Sequence, residues 1–282
     1  MDFSLSEEQQ AILDMAVDFG AEAIAPHALK WDEEEQMPRE MLQAAAELGL
    51  AAIYVPEEDG GSGLTRLDAT LVFEGLAMAC PTISSFLSIH NMVAWMVSSF
   101  GSETLKDRHL AQLCSMQKIA SYCLTEPGSG SDAAALQTKA NRTNEGYNLT
   151  GTKSFISGAG FSDLYVVMAR TGDESPGGIS ALMVENGIDG LSFGAQEKKM
   201  GWRAQPTAQV ILDNCAIDAD SLMGAEGEGF RYAMMGLDGG RLNIAAAALG
   251  GAQFAYEKAL AYGQDRQAFG RSIDRFQWLR FK

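Results

Sequence analysis

Tyr122-Cys-Leu-Thr-Glu-Pro-Gly-Ser-Gly-Ser-Asp132 is the stretch on which the reading of this chain turns. It ends an apolar, β-prone run that begins at Ile119, and it passes through Pro127 into small residues rich in backbone N–H and hydroxyl donors. Such a loop can cradle phosphate or hydrogen-bond a heterocycle, because Gly lets the main chain approach closely and Ser and Thr supply donors without bulk. Taken alone, it is equally the form of an ordinary glycine-rich turn. Gly128-Ser-Gly-Ser-Asp-Ala133 has the spelling of a Rossmann fingerprint, but Pro127 separates it from the strand, no long helical pattern follows, and no acidic residue ends a second strand about 20 positions on. No Gly-Lys-Ser/Thr follows, so a Walker loop is excluded.

Outward from this loop the period of the sequence changes. Residues 119–125, 147–150, 164–170, 179–185 and 207–213 are short β-branched or aromatic runs between Gly, Asn, Asp and Pro turns, which predicts a small β-barrel or sandwich domain over 118–224. Before it, residues 1–117 read as all helical. Ser6 with Gln9 has the form of a capping box ahead of Ile12, Leu13, Ala16, Val17 and Phe19. Pro26 should break or kink that helix, and Pro38 should open another that Gly49 ends. Residues 56–63 form a loop, and helical patterns then cover 68–80, 82–100 and 102–116. After Gly229 helical spacing returns as far as Tyr262, and a turn at Phe269-Gly270 leads to a last helical stretch, 273–282. The fold class is α+β multidomain: a helical domain, a β domain, and from 225 to 282 the beginning of a second helical bundle. That last stretch carries Phe276, Trp278, Leu279 and Phe281 with no Gly or Asn cap, and two turns of isolated helix are marginal without a partner surface, so we expect the bundle to continue past Lys282.

Composition narrows the function. The chain has 282 residues, 46% hydrophobic and 21% charged, which suffices for packed cores and excludes disorder. A formal charge of −16 without a Lys/Arg cluster argues against nucleic acid. The most apolar stretch, 244–263, is broken by Gln253, Glu257 and Lys258, well short of the roughly 20 apolar residues of a bilayer span, so no membrane insertion is expected. The acidic start, Met1-Asp2-Phe3-Ser4, lacks the features of a signal or transit peptide. Cys80, Cys114, Cys123 and Cys215 share no CxxC or His spacing, which predicts buried, inert thiols, a reducing compartment and no metal site. His90 and His109 lie in helical patterns without a ligand partner, Asp32 to Glu35 read as a solvated face, and Trp202, Met234 and Met235 read as packing, core or interface.

With four motifs taken together, the sequence resembles the acyl-CoA dehydrogenase family over its whole length. Tyr122 to Asp132 is similar to one signature, Gly151-Thr-Lys-Ser-Phe-Ile-Ser-Gly-Ala159 to the second flavin segment, and Gly236-Leu-Asp-Gly-Gly-Arg241 and Arg266-Gln-Ala-Phe-Gly270 follow in the family's order. Tyr122 to Asp132 and Met200-Gly-Trp-Arg-Ala-Gln-Pro-Thr207 point to the branch that acts on isobutyryl-CoA.

The resemblance implies an oxidoreductase that uses FAD to dehydrogenate a short or branched acyl-CoA at its α and β carbons. It implies that Tyr122, Leu124, Thr125, Gly130 and Ser131 lie against the flavin, with Phe155, Ile156 and Ser157 on its other side. Ser131, Asp238, Gly239, Gly240 and Arg241 would hold the CoA substrate, and Arg266, Phe276 and Gln277 would reach the FAD of a neighbouring subunit in a homotetramer. Electrons would pass to an electron-transfer flavoprotein, in a bacterial cytoplasm or, for a processed eukaryotic protein, the mitochondrial matrix. The family's base is a Glu, which in most branches would fall beyond Lys282; where other branches place it, this chain has Gly240, so no catalytic residue is assigned and the chain alone is expected to be inactive. Glu126 reads as a residue that holds its loop. The alternatives are a non-catalytic flavin- and CoA-binding truncated homologue and an acyl-CoA oxidase.

Overall fold

The computed structural model describes residues 4–282, and the beginning at Met1-Asp2-Phe3 lies outside the described residues. The helical half is built from α1 (Glu7–Phe19), α2 (Ala25–Glu34), α3 (Arg39–Glu47), α4 (Arg66–Ala79), α5 (Pro81–Phe100) and α6 (Glu103–Cys114). Ser6 caps α1 through the reciprocal box with Gln9, and Thr65 does the same for α4 with Asp68. Pro26 does not break the first helix. A π-helical turn, Gly20–Ile24, precedes it, and Pro26 falls in the first turn of α2, where a missing N–H costs nothing.

The strands are β1 (Ala120–Cys123), β2 (Lys139–Arg142), β3 (Gly146–Ser157), β4 (Leu164–Arg170), β5 (Ile179–Glu185), β6 (Leu191–Phe193), β7 (Thr207–Asp218) and β8 (Leu222–Met223). They form one sheet in the order β6-β7-β3-β2-β4-β5-β8, with β1 parallel to β4. β2, β6 and β8 are polar or very short and give no periodic signal, while β3 and β7 each run on to twelve residues, their pairing interrupted by one bulge on β7 and one on β3. β4 is buried at every residue because two cores share it. Leu164, Val166 and Met168 pack with α5, α6 and the start of the last long helix, whereas Tyr165, Val167 and Ala169 pack with Leu149, Val210, Leu182 and Val184 in the curled sheet. His90 on α5 joins helices to sheet: Ala120 N–H donates to its Nδ1, so Nε2 carries the proton and donates to the Leu113 carbonyl at 2.9 Å. Burial lowers its pKa to about 4, which keeps it neutral and structural.

α7 runs from Gly229 to Asp265. Its buried stripe, Gly229, Tyr232, Ala233, Gly236, Gly239, Asn243, Ala246, Ala247 and Gly250, stops at Gly250, where a Cβ would stand 2.0 Å from the Glu74 carbonyl oxygen of α4. Beyond it a hairpin of β9 (Gln267–Ala268) and β10 (Arg271–Ser272) turns at Phe269 and Gly270, both at positive φ. The expected helix over 273–282 is instead a 3₁₀ turn followed by the single turn α8 (Gln277–Arg280), since with no packed surface nothing compensates helix nucleation.

Three local expectations are corrected. Asp32 is not merely solvated: its carboxylate accepts from the Arg203 backbone N–H at 2.7 Å and Nε at 2.9 Å, tying α2 to the loop before β7. Trp202 is only partly packed, 39% exposed at a φ of 55° in that loop. Cys114 is only partly buried, although burial and Asp59 still push its thiol up to about 11, and all four cysteines are free.

Candidate active site

A cleft of about 890 Å³ opens where α5, the loop after β1, the end of β3 and the first turns of α7 meet. That volume is in the range of a small-molecule or cofactor site. From the loop come Tyr122, Leu124, Thr125, Gly130, Ser131 and Asp132; from β3 Phe155, Ile156 and Ser157; from α7 Phe230, Met234, Leu237, Gly240, Arg241 and Ile244; and Ser88, Ile89 and Met92 come from α5. Ten of the sequence-predicted positions therefore share one space.

The loop is held from behind. Glu126 accepts from the backbone N–H groups of Gln137 at 2.6 Å and Thr138 at 2.9 Å and from Lys153 Nζ at 2.8 Å, and Lys153 also donates to the Leu124 carbonyl at 3.1 Å. Both side chains are buried. Burial would raise the Glu126 pKa, but the Lys153 ammonium and the two N–H groups outweigh it and hold the carboxyl ionised below its usual range. Glu126 thus shapes the loop, as its sequence context suggested, and does not line the cleft.

The other wall is set by a bulge in β3. The register against β7 slips between Lys153 and Ile156, and Phe155 sits at a φ of 57°, a left-handed conformation costly for an aromatic residue, with its ring exposed at the lip of the cleft. The bulge is what turns the Phe155 ring outward and brings Ile156 and Ser157 to the wall.

Several polar groups at the cleft have no protein partner. The Tyr122 hydroxyl is buried and unpaired, and burial pushes its pKa far above the usual phenol, so it remains a donor. Among the described residues the Thr125 and Ser131 hydroxyls make no hydrogen bond. At Gly130, which lines the cleft, an added Cβ would meet nothing within 4 Å, so the backbone there is open. A buried polar group left without a partner is rare, so the Tyr122 hydroxyl, with the more accessible Thr125 and Ser131 hydroxyls beside it in one apolar-walled space, indicates a ligand rich in acceptors.

Other predicted residues lie elsewhere. Asp238 stays outside the cleft on the exposed face of α7 and pairs with Arg241 at 3.2 Å. Gly239 faces away, its α-carbon pressed toward Arg66, whose guanidinium stacks on Tyr54 and Trp95. Arg266 caps the far end of α7, and Phe276 and Gln277 lie beyond the β9–β10 hairpin at the start of α8; 25 residues at 1.5 Å each put Arg266 about 38 Å from Arg241 along the helix. Residues that the sequence reading left out of the site include Ser88, Ile89, Met92 and Ile244. Phe230, Met234, Leu237, Arg241 and Ile244 recur at three- and four-residue spacing, a second stripe beside the buried one, but spacing cannot tell a core stripe from a cleft stripe. Met234 lines the cleft on that stripe, whereas Met235 is exposed.

Family models match most of the chain: acyl-CoA dehydrogenase N-terminal domain over residues 6–117, middle domain over 121–215 and C-terminal domain over 227–282. The mitochondrial isobutyryl-CoA dehydrogenase of Bos taurus is 48% identical across 99% of this chain and 67% of its own length. The butyryl-CoA dehydrogenase structure from Megasphaera elsdenii superposes with a TM-score of 0.94 at 36% identity, over all of this chain and 75% of that one. The structure of PigA with FAD and proline gives a TM-score of 0.94 at 30% identity, over all of this chain and 74% of that one.

Proposed function

The chain belongs to the acyl-CoA dehydrogenase family, and from that premise we propose that it forms the flavin-binding part of an enzyme that dehydrogenates a short or branched acyl-CoA, isobutyryl-CoA foremost. The observation that carries the reading is the cleft itself: unpaired Tyr122, Thr125 and Ser131 hydroxyls facing apolar walls. FAD, when bound, accepts the β hydrogen of the substrate as hydride.

The chain's own residues do the positioning. Tyr122, Leu124, Thr125, Gly130 and Ser131 line one side of the flavin, and Phe155, Ile156 and Ser157 the other. Ser131, Gly240 and Arg241 hold the CoA substrate from within the cleft, Asp238 acts through its ion pair with Arg241, and Gly239 lets α7 pack closely against Arg66. Met92 is buried against the space left by Gly236 and Gly240, within 3.5 Å of where their Cβ atoms would be, and this floor suits a short acyl group. Asp132 is the carboxylate among the lining residues, exposed in the loop, and no Glu lines the cleft. We therefore place the base that takes the α proton on a Glu following Lys282, and expect the 282 residues alone not to turn over.

The remaining parts of the reading follow from the family. Arg266, Phe276 and Gln277 reach a neighbouring subunit's FAD in a homotetramer, the units are 1–117, 118–224 and 225–282, and electrons pass to an electron-transfer flavoprotein. No helix among the described residues is long and apolar enough to cross a membrane. We place the protein in a bacterial cytoplasm, or in the mitochondrial matrix as the bovine relative's name suggests.

The full-length protein should purify yellow and bleach anaerobically with isobutyryl-CoA. Bound flavin that no member of an acyl-CoA panel bleaches would overturn the enzyme reading in favour of a binding protein. Hydrogen peroxide formed as fast as flavin is reduced would point to an oxidase.

A further inference from the structure

We propose that Gln205 is a positioning residue that makes the Ser157 hydroxyl a hydrogen-bond donor toward the cleft. The inference rests on the reading of the cleft as a flavin site and adds a residue outside its lining.

Ser157 ends β3 and lines the cleft. Its Oγ accepts from Gln205 Nε2 at 2.7 Å. An amide NH₂ can only donate, so this bond occupies a lone pair of Ser157 and leaves the hydroxyl proton unused. Among the described residues no other side-chain or backbone acceptor takes that proton, and the space beside Ser157 is the cleft. The backbone is fixed as well: the Ser157 carbonyl accepts from Ser121 Oγ at 2.5 Å, and Ser121 in turn bonds Ser162 at 2.7 Å. The polarity of the pair is therefore a property of Gln205.

Gln205 is 5% exposed, and its backbone is pinned on both sides, N–H to the Trp202 carbonyl and carbonyl from Lys199 Nζ at 2.8 Å. The loop that carries it is anchored to α2 by Asp32 and Arg203. Its Oε1 is buried with no partner. Rotating the amide by half a turn would let Oε1 take the Ser157 proton and leave both Nε2 protons unpaired, whereas the observed orientation leaves Oε1 and one Nε2 proton without a protein partner and frees the Ser157 proton. In the observed orientation Ser157 can donate only to a ligand. Oxidised flavin presents acceptors, so a donor at this wall favours its binding and raises its electron affinity.

The test uses the full-length protein loaded with FAD. Gln205→Leu should shift the visible flavin spectrum, lower the reduction potential and weaken FAD binding roughly fivefold, the size of one net hydrogen bond. Ser157→Ala should move all three in the same direction, and the double variant should add nothing to Ser157→Ala, because Gln205 acts only through that hydroxyl. Gln205→Glu, whose carboxylate accepts the Ser157 proton, should displace the potential at least as far. Gln205→Asn, an amide one methylene too short, gives the same readout should Gln205→Leu not fold. A loaded Gln205 variant with unchanged spectrum and potential, or effects that add to those of Ser157→Ala, overturns the inference while leaving the flavin reading intact. A wild-type protein that takes up no FAD overturns that reading and the inference with it.

Discussion

The loop from Leu124 to Asp132 and the surface of α7 beyond Gly250 both border solvent, yet they are supported in opposite ways. The loop is polar and small, and its shape is dictated from beneath by the buried Lys153–Glu126 pair and its two backbone donors. The helix end is large and apolar, and nothing in the described residues covers it: Phe254, Tyr256, Leu260 and Tyr262 are exposed, as are Trp278 at 69% and Phe281 at 78%. A patch of that kind marks an interaction surface. The loop is thus shaped by the chain itself, whereas the described residues leave the helix end uncovered.

The comparison is broken most severely from below the loop. Lys153→Met should leave the Glu126 carboxylate buried without its cation and cost about 3–5 kcal/mol in urea unfolding. Adding Glu126→Gln should recover part of that loss, since no stranded charge remains. Acid should act on the helix-to-sheet joint at His90. Its folded pKa is depressed to about 4 from 6.5, so the unfolded chain takes up a proton first. Stability is full above pH 6.5, falls as pH drops toward 4, and is flat below; the loss is about 3 kcal/mol, and His90→Gln should abolish that component of the pH profile. On α7, Gly250→Ala should cost about 1–3 kcal/mol, because its Cβ meets the rigid Glu74 carbonyl, not a flexible side chain. The smallest effect on stability is expected at the uncovered end, where Trp278→Ser with Phe281→Ser should change unfolding by less than about 0.5 kcal/mol. Light scattering of the 282-residue chain should nonetheless show reduced self-association. If that double change destabilises the fold as much as Lys153→Met does, the contrast between the two regions is wrong.

Much of the site was legible in linear sequence. Tyr122 to Ser131 and Phe155 to Ser157 are two contiguous segments, and contiguous segments keep their meaning without a fold. Asp32 and Gln205 were not legible in their roles, because each acts through a residue far away in sequence, Arg203 and Ser157. The cleft-lining stripe of α7 was visible as periodicity but looked like core, and Met92 looked like any apolar residue of a buried helix. Trp202 reads as packing, but its positive φ in an anchored loop leaves the ring partly exposed.

By itself the sequence determined the order of helical, β and helical units and the donor-rich loop, because hydrophobic period, capping residues and small-residue runs act locally. Only the tertiary structure decided that the loop would be tied down from behind, that one wall would be a bulge with Phe155 turned outward, and that Ser157 would meet Gln205 at the edge of the cleft. Those outcomes depend on which buried polar groups find one another across the fold. A charge or an amide in low dielectric is settled by its partners, and its partners are settled by packing.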